Sequence, residues 1–232
     1  PSETVDTRCD AVVIGAGGIG SRVVQLLSVM LTLADTLTIY DGDTVSESNL
    51  NRQIFNKRHV GKNKAVCLKT QFMLNSKCGI VSAESFFSSA SISELNPSYA
   101  ANIFFFCCVD NHPSRRTVIE AIDEFKVHGV IAGNEYWDAE AYYYHHTWKG
   151  TDKDPRIVYP EILSDTRNDP LAPCTGDALD GTPQLASANN EACAFAIKLF
   201  LLYRNGIEEY YPHHYTSNKF RFSTIGGDVK GE

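Results

Sequence analysis

The 232-residue sequence has no apolar stretch that reaches the roughly 18 residues needed to span a membrane. Its first ten residues are polar and do not resemble a signal peptide. Lysine and arginine number 21 against 28 aspartates and glutamates, so no basic excess exists to neutralise nucleic-acid phosphates. We therefore expect neither a membrane nor a nucleic acid as a partner.

Cysteine pairs of the kind that bind zinc or form a disulfide framework are also lacking. The seven cysteines are scattered, odd in number, and include no Cys-x-x-Cys pair. Scattered, unpaired cysteines are typical of a reducing compartment, which favours a cytoplasmic protein. Structural zinc sites are commonly built from such pairs, so no zinc is expected.

Strands and helices alternate through the first 132 residues. Short apolar runs predict strands at 10–14, 36–40, 80–87, 103–109 and 127–132, and periodic segments predict helices at 21–33, 61–74, 91–99 and 113–125. A run rich in tyrosine and histidine at 140–148 suits an antiparallel strand. This pattern predicts an α/β fold with a doubly wound, mostly parallel Rossmann-like sheet and an antiparallel C-terminal extension.

The composition changes after Lys149. Residues 150–183 carry five prolines and little periodicity, which predicts a long crossover loop. A helix is predicted over 185–203 and a last strand over 219–225. We thus interpret 1–232 as a single domain with a nucleotide-binding core at 10–149, a crossover loop at 150–184 and a C-terminal helix and strand at 185–232.

A glycine-rich turn joins the first strand to the first helix. Gly15, Gly17, Gly18 and Gly20 form a Gly-x-Gly-Gly-x-Gly pattern, in which the backbone can approach a phosphate at a helix N-terminus. Asp41 ends the second strand about 20 residues later, where an acid can accept ribose hydroxyls. Alone, these features fit a nicotinamide-dependent redox enzyme, an ATP-binding enzyme or a tight turn without a ligand.

Further polar groups follow other strand ends. The segment 48–53 reads Ser-Asn-Leu-Asn-Arg-Gln, Lys64 begins a predicted helix, and Asp110 and Asn111 follow an apolar strand. The carboxyl ends of parallel strands meet at one edge of a sheet. Arginine and lysine can hold phosphate there and aspartate can hold Mg²⁺, which suits nucleotidyl transfer from ATP better than redox chemistry.

This set of motifs resembles the ThiF/MoeB/ubiquitin-activating-enzyme superfamily. The shared motifs are the glycine turn, an Asp-x-Asp pair at Asp41 and Asp43, Ser-Asn-Leu-x-Arg-Gln, Gly-x-x-Lys-Ala and Cys-x-Asp-Asn, in family order. The resemblance implies an enzyme that uses ATP and Mg²⁺ to adenylate the C-terminal carboxylate of a ubiquitin-like or sulfur-carrier protein.

The resemblance also implies roles for single residues. Asp41 would hold the ribose, Asp110 would position Mg²⁺ with support from Asn111, and Arg52 and Lys64 would act with Asp110 in catalysis. From the residues alone, Arg52 and Lys64 could be a solvated pair and Asp110 a helix cap. The implied ATP site comprises Gly15, Gly17, Gly18, Gly20, Asp41, Asp43, Ser48, Asn49, Arg52, Gln53, Lys64, Asp110 and Asn111.

Pro173-Cys174-Thr175 resembles the neighbourhood of the catalytic cysteine in ubiquitin-activating enzymes. A thiolate on this loop could take the acyl group from the adenylate as a thioester. Asp177 and Asp180 are its nearest charged neighbours and would not favour a thiolate, so an ordinary loop cysteine is the alternative. Cys193 is the rival thiol, but its place among alanines within a helix predicts burial.

Several partners and functions stay open at this point. The small size favours a prokaryotic member of the superfamily that acts in ubiquitin-like conjugation. Antiphage defence is one setting for such a system, and a conjugating enzyme would be a further partner. Such minimal members tend to be homodimers. The alternatives are sulfur-carrier activation, a redox enzyme and a non-catalytic scaffold. Adjacent His145 and His146 point to opposite sides of a strand and are not expected to share a metal.

Overall fold

Seven strands form one sheet in the computed structural model, which describes residues 8–95, 102–134, 138–165, 186–207 and 214–216. The spatial order is β3-β2-β1-β4-β5-β6-β7. Strands β1 to β5 are parallel, whereas β6 and β7 run antiparallel. The strands are β1 Asp10–Ile14, β2 Thr36–Tyr40, β3 Gly79–Ala83, β4 Ile103–Cys107, β5 His128–Asn134, β6 Ala139–His145 and β7 His214–Thr216.

Helices cover both faces of this sheet, which confirms the predicted doubly wound α/β fold. Phe104 and Phe106 of β4 pack against Phe200 on one face, with ring centroids 5.0 and 5.3 Å apart. Phe105 faces the other way and stacks on Phe125 at 6.3 Å. The helices are α1 Gly20–Met30, α2 Lys64–Phe72, α3 Ser89–Glu94, α4 His112–Phe125, α5 Pro155–Val158, α6 Glu161–Ser164 and α7 Ala186–Arg204.

Two parts of the chain differ from the expectation. Residues 155–164 form the short helices α5 and α6 instead of irregular loop, because Asp154 caps α5 and prolines stand at the start of each helix. The short strand β7 was not predicted, and it pairs with β6. The predicted strand at 219–225 and residues 166–184 of the predicted crossover loop lie outside the described residues.

Within the described part of the chain, none of the helices is both long enough and apolar enough to cross a lipid bilayer.

A buried ion-pair cluster attaches α5 to the rest of the fold. The Arg156 guanidinium lies 2.8 Å from carboxylate oxygens of both Asp123 and Asp154 and donates to the Tyr144 hydroxyl at 2.9 Å. All three charged side chains are almost wholly buried. Buried carboxylates are tolerated only when they are paired, so Arg156 keeps two costly charges neutralised.

Replacing Arg156 should therefore destabilise the protein far more than replacing an exposed cation that meets the same acid. We expect Arg156→Met to lower the free energy of unfolding by about 3–5 kcal/mol, because it leaves buried Asp154 without a counter-ion and buried Asp123 with only the exposed Lys149. Lys149 also lies 3.3 Å from Asp123 but is 65% exposed, so Lys149→Met should cost less than about 1 kcal/mol. Urea unfolding at pH 7 measures both, and equal losses would contradict this account.

Candidate functional site

The polar motifs meet at the carboxyl ends of the three neighbouring strands β2, β1 and β4. Strand β1 lies between β2 and β4, and the chain reaches these two neighbours by connections on opposite sides of the sheet. Gly15 follows β1, Asp41 follows β2 and Cys108 follows β4. This is the point of a doubly wound sheet at which ligands usually bind.

The glycine turn passes between these neighbouring strand ends with no room for side chains. Gly15 has φ +89°, donates its N–H to the Tyr40 carbonyl at 2.9 Å, and would place a Cβ 2.8 Å from the Cys108 carbonyl oxygen. A Cβ on Gly20 would lie 1.8 Å from the Gly15 carbonyl oxygen. Only glycine combines the left-handed conformation at 15 with these close approaches.

Asp41 ties the glycine turn to the loop after β2. One carboxylate oxygen accepts the Ala16 N–H at 2.6 Å and the other accepts the Asp43 N–H at 2.8 Å. Burial raises the pKa of Asp41, against the opposing charge of Lys64 and these two hydrogen bonds. Each oxygen keeps a further lone pair that a ribose hydroxyl can use.

Lys64 opens helix α2 with its ammonium directed to Asp43. The Lys64 Nζ lies 2.8 Å from an Asp43 carboxylate oxygen, and the lysine is only 8% exposed. Asn63 fixes this arrangement, because its amide donates to the Asp41 carbonyl at 2.8 Å and its oxygen caps α2 by accepting from Val66 at 3.1 Å. Lys64 is therefore not a solvated surface charge.

The segment 48–53 lies beside the glycine turn. Asn49 is buried and accepts the Ser46 N–H at 3.0 Å. Arg52 is half-buried and donates to the Ser48 carbonyl at 2.7 Å. The Gln53 Oε1 atom is buried with no hydrogen-bond partner among the described residues. Its Nε2 lies 4.0 Å from the place where a Cβ on Gly17 would stand, so the Gln53 amide borders the glycine turn.

Asp110 and Asn111 have different roles after β4. Asn111 is buried and caps α4 by accepting the Ser114 N–H at 2.8 Å. Asp110 does not cap the helix: it is exposed, and its carboxylate makes no ion pair or hydrogen bond within the described residues. A free carboxylate is a ligand that Mg²⁺ prefers, so Asp110 fits the predicted metal role. No cluster of three or more metal-ligating side chains occurs in the described chain, whereas Mg²⁺ commonly needs only one or two.

Arg22 is a site residue that the sequence analysis missed. Its Nη1 donates to the carbonyl oxygens of Gly18 and Arg52, each at 2.8 Å, and its Nε donates to the Asn190 side chain. Burial lowers the pKa of Arg22, with Cys193 opposing the shift. Its place four residues after Gly18 was a local signal for the first bond, but the contacts with Arg52 and Asn190 are tertiary.

Of the two candidate thiols, the structure describes only Cys193. Cys193 of α7 is 2% exposed, and burial raises its pKa to about 12 despite the nearby Arg22. A thiol with that pKa is almost wholly protonated at neutral pH and is a poor nucleophile. Cys174 lies outside the described residues.

The histidines of β5 and β6 stack on each other near the amino end of β5, remote from this sheet edge. The rings of His128 and His145 lie 4.1 Å apart and those of His145 and His146 lie 4.4 Å apart. Burial, followed by the charges of the other two, lowers the pKa of His128 to about 3. In the described residues these three rings do not form a metal-binding group.

Comparison with known proteins shows which family and which relatives this chain matches. The model of the ThiF family matches residues 7–187. SUMO-activating enzyme subunit 2 of Dictyostelium discoideum is 42% identical over 66 residues, and the Nedd8-activating enzyme E1 catalytic subunit of Drosophila melanogaster is 39% identical over 66. Each match covers 28% of this chain, but only 10% and 14% of those longer proteins.

Solved structures share the fold. A structure of PaaA superposes with a TM-score of 0.64 at 18% identity, covering 93% of this chain and 71% of that one. The structure of E. coli MccB with ATP superposes with a TM-score of 0.58 at 18% identity. MccB with AMPCPP and MccA gives a TM-score of 0.60 at 18% identity, and in both cases 85% of this chain and 56% of MccB are covered. At this identity the likeness shows the fold alone.

Proposed function

This chain belongs to the ThiF family, and from that premise we propose that it uses ATP to adenylate the C-terminal carboxylate of a ubiquitin-like or sulfur-carrier protein. One observation carries the proposal: the glycine turn, a buried acid, two cations and a free carboxylate converge at the switch point of the sheet. A nicotinamide-dependent redox site would need the glycine turn and the buried acid, but neither the two cations nor the free carboxylate. The relatives named as activating enzymes and the MccB structure with ATP support the same reading.

The proposed nucleotide position follows from the contacts. Asp41 would accept the ribose hydroxyls with its remaining lone pairs. The N–H groups of the glycine turn and the start of α1 would donate to the phosphates, aided by the positive end of the helix dipole. Asn49 and Gln53 would add amide contacts, and Ser48 would line the same edge. Asp43 would orient Lys64 toward the phosphates through their 2.8 Å ion pair.

The reaction needs charge neutralisation more than proton transfer. A carboxylate oxygen of the carrier attacks the α-phosphorus, the bond from that phosphorus to the oxygen leading to the β-phosphate breaks, and pyrophosphate leaves with that bond's electrons. Arg52 and Lys64 would stabilise the charge that develops on pyrophosphate. Asp110 would hold Mg²⁺, which supplies further neutralisation of the phosphates.

Loss of these groups should slow adenylation by roughly 10²–10³-fold each, the usual effect of removing one transition-state contact. The measurement is exchange of labelled pyrophosphate into ATP with Mg²⁺ and a candidate carrier protein, for Arg52→Ala, Lys64→Ala and Asp110→Ala. Lys69→Ala supplies a matched control, because Lys69 lies on the same helix five residues beyond Lys64. Absence of exchange by the wild-type protein with any cognate carrier would refute the proposal.

The acyl group is proposed to pass from the adenylate to Cys174 as a thioester. The thiolate sulfur would attack the acyl carbon and AMP would leave. The support for this assignment is the resemblance of Pro173-Cys174-Thr175 to the catalytic-cysteine neighbourhood of ubiquitin-activating enzymes. The buried Cys193, with its raised pKa, is a poor competitor.

A thioester should appear as a carrier adduct that resists denaturing gel electrophoresis but is cleaved by a thiol reductant. We expect Cys174→Ala to abolish this adduct while pyrophosphate exchange persists, and Cys193→Ser to retain both. Adenylation without any adduct in the wild-type protein would instead support the second candidate function, sulfur-carrier activation without conjugation.

The biological setting that we propose is a bacterial ubiquitin-like conjugation system of the kind used in antiphage defence, with a conjugating enzyme as a later partner. A cytoplasmic location suits the six free, buried cysteines of the described residues: Cys9, Cys67, Cys78, Cys107, Cys108 and Cys193.

A homodimer is proposed because apolar side chains stand exposed on one face of α1 and just beyond it. Leu26 and Val29 are neighbours on the surface of α1 and are 38% and 65% exposed, and Leu33, in the turn that follows the helix, is 86% exposed. Light scattering should give about twice the 25.7 kDa mass of one chain, and Val29→Asp with Leu33→Asp should give monomers. Ile157→Asp, at a 55% exposed site on α5, is the control. A monomeric wild-type protein would contradict this expectation.

A further inference from the structure

Helices α1 and α7 run side by side in the same direction. Near their starts, Arg22 of α1 donates to Asn190 of α7. Beyond their ends, Arg204 of α7 donates to both carboxylate oxygens of Asp35 at 3.0 and 2.8 Å. The two helices therefore begin together at the glycine turn, and the longer α7 ends beside Asp35, five residues beyond the end of α1.

Two helix N-termini thus lie against one glycine turn. Each carries the equivalent of about half a positive charge, and their effects on an anion at the turn add. The N–H groups of Gly17, Gly18 and Ile19 donate no hydrogen bond to any described residue, so they are available to such an anion. A polyphosphate at this place would meet α7 as well as α1.

Asn189, in the first turn of α7, has a buried amide without hydrogen-bond partners among the described residues. Its side chain is 0% exposed, and neither Oδ1 nor Nδ2 has a hydrogen-bond partner among the described residues. A Cβ on Gly18 would lie 2.5 Å from both atoms and 2.6 Å from the Cγ between them, so the amide is pressed broadside against the turn. Burying an amide without partners is costly, which is why such groups are rare unless a ligand or water satisfies them.

We propose that Asn189 is a nucleotide-binding residue whose amide is satisfied when a nucleoside triphosphate occupies the glycine turn. Its Nδ2 group is a donor that suits a phosphate oxygen. The inference rests on the proposed function, since it requires ATP at this turn, but it adds a residue from the helix that follows the Cys174 segment.

Because Asn189 is completely buried, binding of a phosphate to its amide requires a local movement. A phosphate reaches the amide only if the Gly17–Gly18 turn or the first turn of α7 shifts. Nucleotide binding is therefore coupled to the position of the start of α7, which begins at Ala186. Arg22 adds to this coupling, because its guanidinium donates to both the Gly18 carbonyl and the Asn190 side chain.

The test compares ATP with adenosine, which lacks the phosphates. For Asn189→Ala, calorimetry should show ATP affinity reduced roughly 10- to 100-fold, the effect of losing a hydrogen bond to a charged group, and adenosine affinity unchanged. The melting temperature without nucleotide should stay the same or rise, because an unsatisfied buried amide is removed. Ser187→Ala, at an exposed position in the same turn, should match the wild type throughout.

The outcomes separate this inference from the proposed function. If the wild-type protein binds ATP and Asn189→Ala binds it equally well, or loses ATP and adenosine affinity together, the inference is overturned and the proposed function stands. If the wild-type protein binds no ATP, both fail. Hydrogen exchange of residues 186–193 in the wild-type protein gives a readout independent of any variant: ATP should change it, and no change would overturn the coupling.

Discussion

The candidate site depends on one close backbone approach. At Gly15 the chain leaves β1, turns with a positive φ, and passes within contact distance of the Cys108 carbonyl at the end of β4. Because no side chain intervenes, the turn can lie between two strand ends and start α1 directly at the sheet edge. The hydrogen bond from Gly15 to Tyr40 and those made by Asp41 then attach the loop after β2 to the same turn.

Buried charge is concentrated around this turn. Lys64, Arg22 and Asp41 are each largely removed from water, and each is held by a short contact with protein groups. Desolvation of charges is costly, so a fold that needed only stability would gain by packing apolar groups here. The arrangement is better explained by a polyanion, since cations and N–H groups that are already oriented interact with it without further reorganisation.

The same physics distinguishes binding groups from structural ones. Asn111 uses its side-chain oxygen to cap α4, which fixes the chain next to Asp110 at the end of β4. The neighbouring Asp110 stays exposed and free of protein contacts among the described residues, which leaves it for a ligand. Arg156, although charged and central, is saturated by two acids and attaches α5 to the fold instead of contributing to the sheet edge.

The sequence by itself determined the doubly wound, mostly parallel sheet and the set of motifs at its strand ends, because apolar runs, helical periodicity and glycine spacing are local signals. It also identified the family, since five motifs in order are a joint signal. It did not reveal α5, α6 or β7, whose short lengths carry little periodicity. Only the tertiary structure showed that Asn111 is the cap, that Lys64 is buried on Asp43, and that Arg22 and Asn189 border the glycine turn. The position of Asn189 and the contact from Arg22 to Asn190 depend on α7 lying beside α1, a contact between residues more than 160 positions apart that no local pattern encodes.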